Sequence, residues 1–438
     1  MKYNELIERL GRCEGNSLIL GFAGTGKSFL INQLSAKLGG RCLILSPTGL
    51  TAFNIDGQTI DAFLGCLGKL FKNNLPKNKL EEIKDFYDYI IVDEISMVHH
   101  FKLNRIYDFQ KMLYAEGKKI KIIMVGDIFQ LPPVVTNDMI DAFSQLYQTN
   151  VNVDSFLFFK SQGFYEDFQS GMNLFLLTKN YRQNDSYFEK VLQKIALGSV
   201  CKNDIDFINQ RAVKLTLDNY FERIPIILPD KGSCTAINGQ MLSKCSSIMW
   251  NNPYIEKELK AGDPLAPHYY EMIEPFVFAY EARIIFIQND IYGYWMNGTE
   301  GDIVCISTDY YNNLIISVKT KNGVINCAPT RQYLRRLVYN SKTHRIENEN
   351  VAIVRQFPLK LAFAMTIHKA QGLTLDQMAF NKGAGMFAPG QTYVALSRVR
   401  NIEDLTLHVP IELSDIQVSR AIRSFYDDFS KNCTVISG

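Results

Sequence analysis

The sequence predicts an α/β protein with two parallel-sheet units, the second split by a small β-barrel, and three observations carry that expectation. Short apolar runs alternate with helical stretches: SLIL at 17–20, CLIL at 42–45, YIIV at 89–92 and KIIMV at 121–125. Strands of a parallel sheet read this way because helices cover both of its faces. A second pattern of the same kind starts near NLFLL (173–177) and IPIIL (224–228), breaks off, and resumes at PLKLAFAMT (358–366). The interruption is strand-like and punctuated by Asn and Gly, with RIIFIQND at 283–290, WMNGTEGDIVCI at 295–306 and NLIISVKTKNGVINC at 313–327; that is the pattern of a small barrel. The expected division is a first unit over 1–170, a second over 171–244 and 351–438, and an insert over 245–350.

Composition narrows the class. A chain of 438 residues with 47% hydrophobic content can bury two or three cores. No uninterrupted apolar run approaches the ~18 residues of a membrane span, so no membrane partner is expected. The nine cysteines are scattered without a C-x-x-C pair, which argues against a zinc site or a disulfide framework. The net charge of +2 is neutral on nucleic acid, because a phosphate-binding channel can be basic only locally. Two stretches are locally basic. LGKLFKNNLPKNKLEEIK (67–84), within a protrusion at 63–84, has five lysines against two glutamates. From Lys319 to Arg345 there are seven Lys or Arg and no Asp or Glu, with Tyr333 and Tyr339 among them. The second stretch suits either a nucleic-acid strand or a solvated face.

GFAGTGKS at 21–28 follows the strand SLIL and precedes a helical stretch with Leu30, Leu34 and Leu38 four apart. In this P-loop pattern the backbone of Gly21, Ala23, Gly24, Thr25 and Gly26 turns inward to cradle phosphates, and Lys27 reaches the β and γ phosphates. Ser28 offers its hydroxyl to Mg2+. The strand YIIV ends in Asp93 and Glu94: the first can share the metal, and the second can polarise an attacking water. GDIFQLPPV (126–134) sets Asp127 and Gln130 at the end of another strand, where ligands sit in such sheets.

Seven motifs in order, GFAGTGKS, LSPTGLTAF, DEIS, GDIFQLPP, NYRQ, MTIHKAQGLTLD and QTYVALSRVR, resemble those of superfamily-one helicases, most closely the Pif-type branch with its RecD-like relatives. The resemblance implies two RecA-like lobes, the second interrupted by an SH3-like insert, and an ATP-dependent motor travelling 5′ to 3′ on single-stranded DNA and opening duplex or forked DNA. It implies ATP and Mg2+ as cofactors, a monomer, and a place inside the cell where DNA is. It makes Arg182 and Arg398 arginine fingers from the second lobe, across a cleft from the P-loop, and Gln130 a sensor of the γ-phosphate. Tyr181 resembles the aromatic that stacks on adenine, although a core tyrosine also fits that position. Gln371 and Gly372 are expected to face the nucleotide, while Pro47, Thr48, Gly49, Thr366, His368 and Lys369 contact the DNA backbone. A translocase that remodels without unwinding, or a nucleotide-gated binding module, would use the same motifs. The chain departs from the family twice. The glutamine that usually precedes the P-loop and reads adenine is absent, the first glutamine being Gln33, and the usual T-I-H is Thr59-Ile60-Asp61.

Overall fold

A computed structural model describes residues 2–70, 83–213, 225–257, 275–288, 290, 292–295, 297–341, 345–383 and 385–437. The chain divides into two compact units, one of Met1–Val134, Asp154–Lys214 and Ala370–Gly438, the other of Val135–Val153 and Leu215–Lys369.

The first unit is built on a seven-stranded parallel sheet. Its strands are β1 (Ser17–Gly21), β2 (Cys42–Ser46), β3 (Gln58–Thr59), β4 (Tyr89–Val92), β5 (Lys121–Gly126), β6 (Asn173–Leu177) and the C-terminal Thr434–Ile436. The last of these pairs with β6, and the order continues β1-β5-β4-β2-β3. The four apolar runs read from the sequence are the buried central strands β1, β2, β4 and β5. Helices α1 (Tyr3–Arg12) and α2 (Lys27–Lys37) cover one face, where Leu6, Leu10, Leu30, Ile31 and Leu34 pack on Ile19, Ile91 and Phe175.

Two strands depart from the expected division. Asn173–Leu177 was expected to open the second α/β pattern, but it pairs in parallel with β1 in the first sheet. The C-terminal helix Arg420–Asn432 and the strand after it return to the same unit. Phe425 of that helix stacks on Phe159 with ring centroids 4.5 Å apart. Both departures have one cause: an apolar strand fits whichever sheet edge the chain can reach, and its own sequence does not name the edge.

In the second unit Ala364–Thr366 pairs in parallel with Ile226–Leu228. The other half of PLKLAFAMT differs from expectation, since Leu359–Leu361 pairs antiparallel with Arg283–Phe286. It thereby joins a five-stranded sheet with Glu300–Thr308, Leu314–Thr320 and Gly323–Cys327. Phe278, Phe286, Ile303, Val318 and Phe357 form the core beneath that sheet. A long ribbon of Thr330–Asn340 and Arg345–Gln356 lies in a separate sheet with Tyr254–Lys257. Helix Asn137–Tyr147, expected in the first unit, packs on this ribbon.

The basic stretches fare differently. Ile60–Leu70 is helical, and residues 71–82 of the expected protrusion lie outside the described residues. In the second stretch Arg331 pairs with Glu256 at 2.7 Å. Part of that positive charge is therefore balanced within the same sheet.

Candidate nucleotide site

The P-loop is gripped from outside by the segment after β6. Asn180 Nδ2 donates to the Ala23 carbonyl at 3.0 Å, and the Tyr181 N–H donates to the Gly24 carbonyl at 2.8 Å. The Asn180 side-chain oxygen accepts in turn from the N–H groups of Arg182 and Gln183. This approach requires Gly24. Its φ is +83°, and a Cβ there would come within 2.6 Å of Asn180 Oδ1 and 2.7 Å of Arg182 Cβ.

At the inner side of the loop Lys27 Nζ donates to the carbonyls of Gly21 and Phe22, each at 2.9 Å. Burial lowers the pKa of this ammonium, against the opposing pull of Asp127 and Glu94. β4 delivers Asp93 and Glu94 to the same place, both nearly buried. Burial, reinforced by the neighbouring Glu94 charge, pushes the Asp93 carboxyl up to about 7. Glu94 holds a left-handed backbone at φ 48°, a strained conformation for a residue other than glycine, and its Oε2 is buried without a hydrogen bond. Gly126 accommodates the turn that follows: a Cβ there would meet the Ile95 backbone nitrogen at 2.8 Å.

Gln130 donates to Asp127 at 3.3 Å, while its Oε1 is buried without a partner. Arg182 donates to the Ser397 carbonyl at 3.0 Å. Arg398, 1% exposed, donates to the carbonyls of Val394 (2.8 Å) and Leu373 (3.2 Å) and to Ser397 Oγ (2.7 Å). Burial, with help from the Arg182 charge, lowers the Arg398 guanidinium to about 9, and burial lowers Arg182 as well. The hydrogen bonds of Lys27, Arg182 and Arg398 thus all go to neutral oxygens.

These side chains converge on a cavity of about 300 Å³. Of the expected nucleotide residues it is lined by Ala23, Gly24, Gly26, Lys27, Ser28, Asp93, Glu94, Gln130, Tyr181, Arg182, Gly372 and Arg398. Gly21 and Thr25 lie outside its wall, and so does Gln371, which is buried with both amide atoms unpaired. The arginines do not come from a separate unit as expected, since 154–214 and 370–438 belong to the unit of the P-loop. The two paths already traced explain this: β6 carries Asn180 to Arg182 straight from the first sheet, and the C-terminal segment returns to it. The ring of Tyr181 is 54% exposed, which removes the core-tyrosine alternative.

The expected DNA residues fall into two groups. Pro47, Thr48 and Gly49 follow β2 in the first unit, where Thr48 Oγ1 shares a 2.6 Å hydrogen bond with the Thr51 hydroxyl. Thr366, His368 and Lys369 belong to the second unit. Burial, assisted by Lys231, lowers the His368 pKa, which favours the neutral imidazole at neutral pH. Asp61, the residue that departs from the T-I-H pattern, forms an ion pair with Lys102 at 2.6 Å.

Sequence reasoning missed Tyr393. Its buried hydroxyl accepts from the Ala23 N–H at 2.7 Å and donates to Asp127 at 2.7 Å, tying the P-loop to the loop after β5. The signal was present in QTYVALSRVR. Every residue of helix Gln391–Leu396 is buried, and a buried tyrosine hydroxyl has to find a polar partner. Asn180 was missed because its role is contact with backbone that only the folded loop presents.

A parallel sheet with a phosphate-cradling loop at the head of α2, paired acids at the end of β4 and cations without carboxylate partners around one cavity defines a P-loop nucleotide-binding protein. A family profile described as "AAA domain" matches residues 5–157. The ATP-dependent DNA helicase Pif1 of Bdellovibrio bacteriovorus is 29% identical over 94% of this chain and 88% of its own length. The Pif1 helicase of Campylobacter jejuni is also 29% identical, over 90% and 88%. A crystal structure of Pif1 helicase from Bacteroides in complex with ADP-AlF3 and single-stranded DNA superposes with a TM-score of 0.77 at 26% identity, covering 98% of this chain and 96% of that one. Over nearly its whole length the chain is similar to Pif1-type helicases of superfamily one.

Proposed function

We propose that the protein is an ATP-dependent DNA helicase that moves 5′ to 3′ along single-stranded DNA and opens duplex or forked DNA. The single observation that carries this reading is the cavity. Three cations with lowered pKa values, bonded only to neutral oxygens, converge on a P-loop in a chain whose fold matches that of a helicase complexed with a nucleotide analogue and single-stranded DNA. Desolvated cations of this kind are stabilised when an anionic polyphosphate enters, and they neutralise charge that develops as a phosphoryl group leaves.

In this reading Lys27 holds the β and γ phosphates, Glu94 orients the attacking water, and Gln130 senses the γ-phosphate. Arg182 and Arg398 stabilise the transferred group. Ser28 and Asp93 would hold Mg2+, whose charge suits the uncompensated pair of Asp93 and the unbonded Glu94 oxygen. Bound there, the ion would offset negative charge on the phosphates. Pro47, Thr48, Gly49, Thr366, His368 and Lys369 are the residues that would hold the strand by its backbone, which gives grip without sequence preference. Changes of nucleotide state alternate that grip. The test is unwinding of partial duplexes with either a 5′ or a 3′ single-stranded tail. Strand separation with the 5′ tail only is expected, and separation with the 3′ tail only would overturn the polarity.

A further inference from the structure

The paired register of the neighbouring strands β1 and β5 ends at Leu20 and Gly126. Past that point ladder bonds no longer set the distance between the P-loop and the loop that carries Gln130. Side chains do so instead. One link is the Tyr393 hydroxyl between Ala23 and Asp127. Another is a stack of rings: Phe22, the second residue of the P-loop, and Phe129, which directly precedes Gln130, lie 13° from parallel with centroids 5.7 Å apart.

A third ring touches both members of that stack. Tyr426, on the C-terminal helix Arg420–Asn432, meets Phe129 edge to face at 4.9 Å and lies 6.3 Å from Phe22. Phe429, one turn further on, backs Tyr426 at 6.5 Å. The helix is itself pinned at both ends. Ser419 caps its first turn by accepting from the Ile422 N–H, and the strand after it, Thr434–Ile436, pairs with β6. The main chain beside Phe129 also abuts Gly390, where a Cβ would come within 2.7 Å of the Phe129 carbonyl oxygen and 2.9 Å of that of Gln130. A loop confined in this way stays in place while the ring is present, and deleting the ring leaves a void into which its neighbours relax. The P-loop is gripped separately by Asn180 and Tyr181, so the loop that yields is the one bearing Gln130.

We propose that Tyr426 is a positioning residue for nucleotide hydrolysis, seating the Phe22–Phe129 stack and so holding Gln130 at a fixed distance from the P-loop. This rests on the helicase reading above and adds to its site a residue of the C-terminal helix, which lies outside all seven sequence motifs. The experiment is steady-state ATP hydrolysis by the full chain with single-stranded DNA present. Tyr426→Ala is expected to lower kcat by about 10- to 100-fold, the loss that a displacement of about 1 Å produces. Its KM for ATP should stay within about twofold, because the phosphate cradle is untouched. Tyr426→Phe keeps every ring contact and is expected to hold kcat within about twofold of the parent. In a Gln130→Ala background the further change Tyr426→Ala is expected to cost no more than about twofold, since residues acting through one group do not add. A full additional loss in that background would overturn the proposal, as would a raised KM with kcat intact or an unchanged kcat for Tyr426→Ala alone. Phe425→Leu separates positioning from folding, because that ring stacks on Phe159 rather than on the two loops. It is expected to lower Tm and leave kcat unchanged; a loss of kcat equal to that of Tyr426→Ala would mean that the helix acts through stability alone. Should Tyr426→Ala fail to fold, Tyr426→Leu, which keeps apolar bulk without the flat ring, carries the same comparison of kcat and KM. A parent chain that hydrolyses no ATP would instead sink the helicase reading.

Discussion

The nucleotide cavity of the first unit and the basic ribbon of the second treat charge in opposite ways. In the cavity Lys27, Arg182 and Arg398 are desolvated and bonded to neutral oxygens, and burial with the neighbouring Glu94 charge shifts Asp93 up to about 7. On the ribbon Arg331 is exposed and paired with Glu256. Desolvated charge without a partner costs free energy that folding alone does not return, so it marks a place where a ligand completes the electrostatics. An exposed ion pair is worth at most about 1 kcal/mol and marks only a solvated surface. The sequence left the basic stretch open between a nucleic-acid strand and a solvated face, and the Arg331–Glu256 pair favours the second.

The largest test of this contrast exchanges single charges in the two regions. Lys27→Ala and Arg182→Ala are each expected to lower strand-stimulated ATP hydrolysis by about 10³-fold or more. Arg331→Ala is expected to leave it within about twofold, as an exposed pair would allow. Comparable losses in all three, in a steady-state hydrolysis assay, would erase the distinction. A smaller effect is expected from Tyr393→Phe. It leaves the Ala23 N–H unpaired and strips a donor from Asp127, a cost of roughly 1–3 kcal/mol, so kcat should fall by about tenfold while the circular dichroism spectrum is unchanged. An unaltered kcat would mean that the link between the P-loop and the loop after β5 does not matter to turnover.

The smallest effect is one of pH. Because the folded Asp93 carboxyl titrates near 7, above the ordinary carboxylate range, the folded state holds a proton that the unfolded state releases between the two values. Its contribution to stability is therefore fully present at low pH and is lost as pH rises through about 7. His99 and His100 act in the opposite direction. Burial lowers each to about 4, so the stability they contribute is present above their ordinary pKa and is lost as pH falls toward 4. For metal binding the sign is simpler, since the proton on Asp93 must leave first. The Mg2+ concentration giving half-maximal hydrolysis is expected to rise by up to about tenfold per pH unit below 7, and Asp93→Asn should remove that dependence. An identical Mg2+ requirement at pH 6 and pH 8 would place the metal away from Asp93.

Much of the first sheet could be read directly, because SLIL, CLIL, YIIV and KIIMV are buried on both faces and carry a continuous apolar signal. The residues converging on the cavity were legible for a related reason: glycines, a lysine and adjacent carboxylates at strand ends have few other uses in that order. What stayed hidden was partnership. Asn173–Leu177 and Leu359–Leu361 look like the strands they are, but nothing within them says which neighbour they join. Arg182 and Arg398 were expected across a cleft because the helicase resemblance and the second α/β pattern put them in a second lobe, whereas the C-terminal helix and strand return that segment to the unit of the P-loop. Asn180 acts on backbone groups, which the sequence does not display.

The central claim is that the cavity in the first unit drives work on a nucleic-acid strand. The most direct measurement is the rate of ATP hydrolysis by the intact chain at saturating Mg2+, with and without single-stranded DNA. The rate is expected to rise severalfold or more and to saturate with DNA, and the apparent affinity for DNA should fall steeply with salt, as backbone contacts require. One rate with and without DNA would contradict the account, because it would describe a nucleotidase whose cavity is not coupled to any strand.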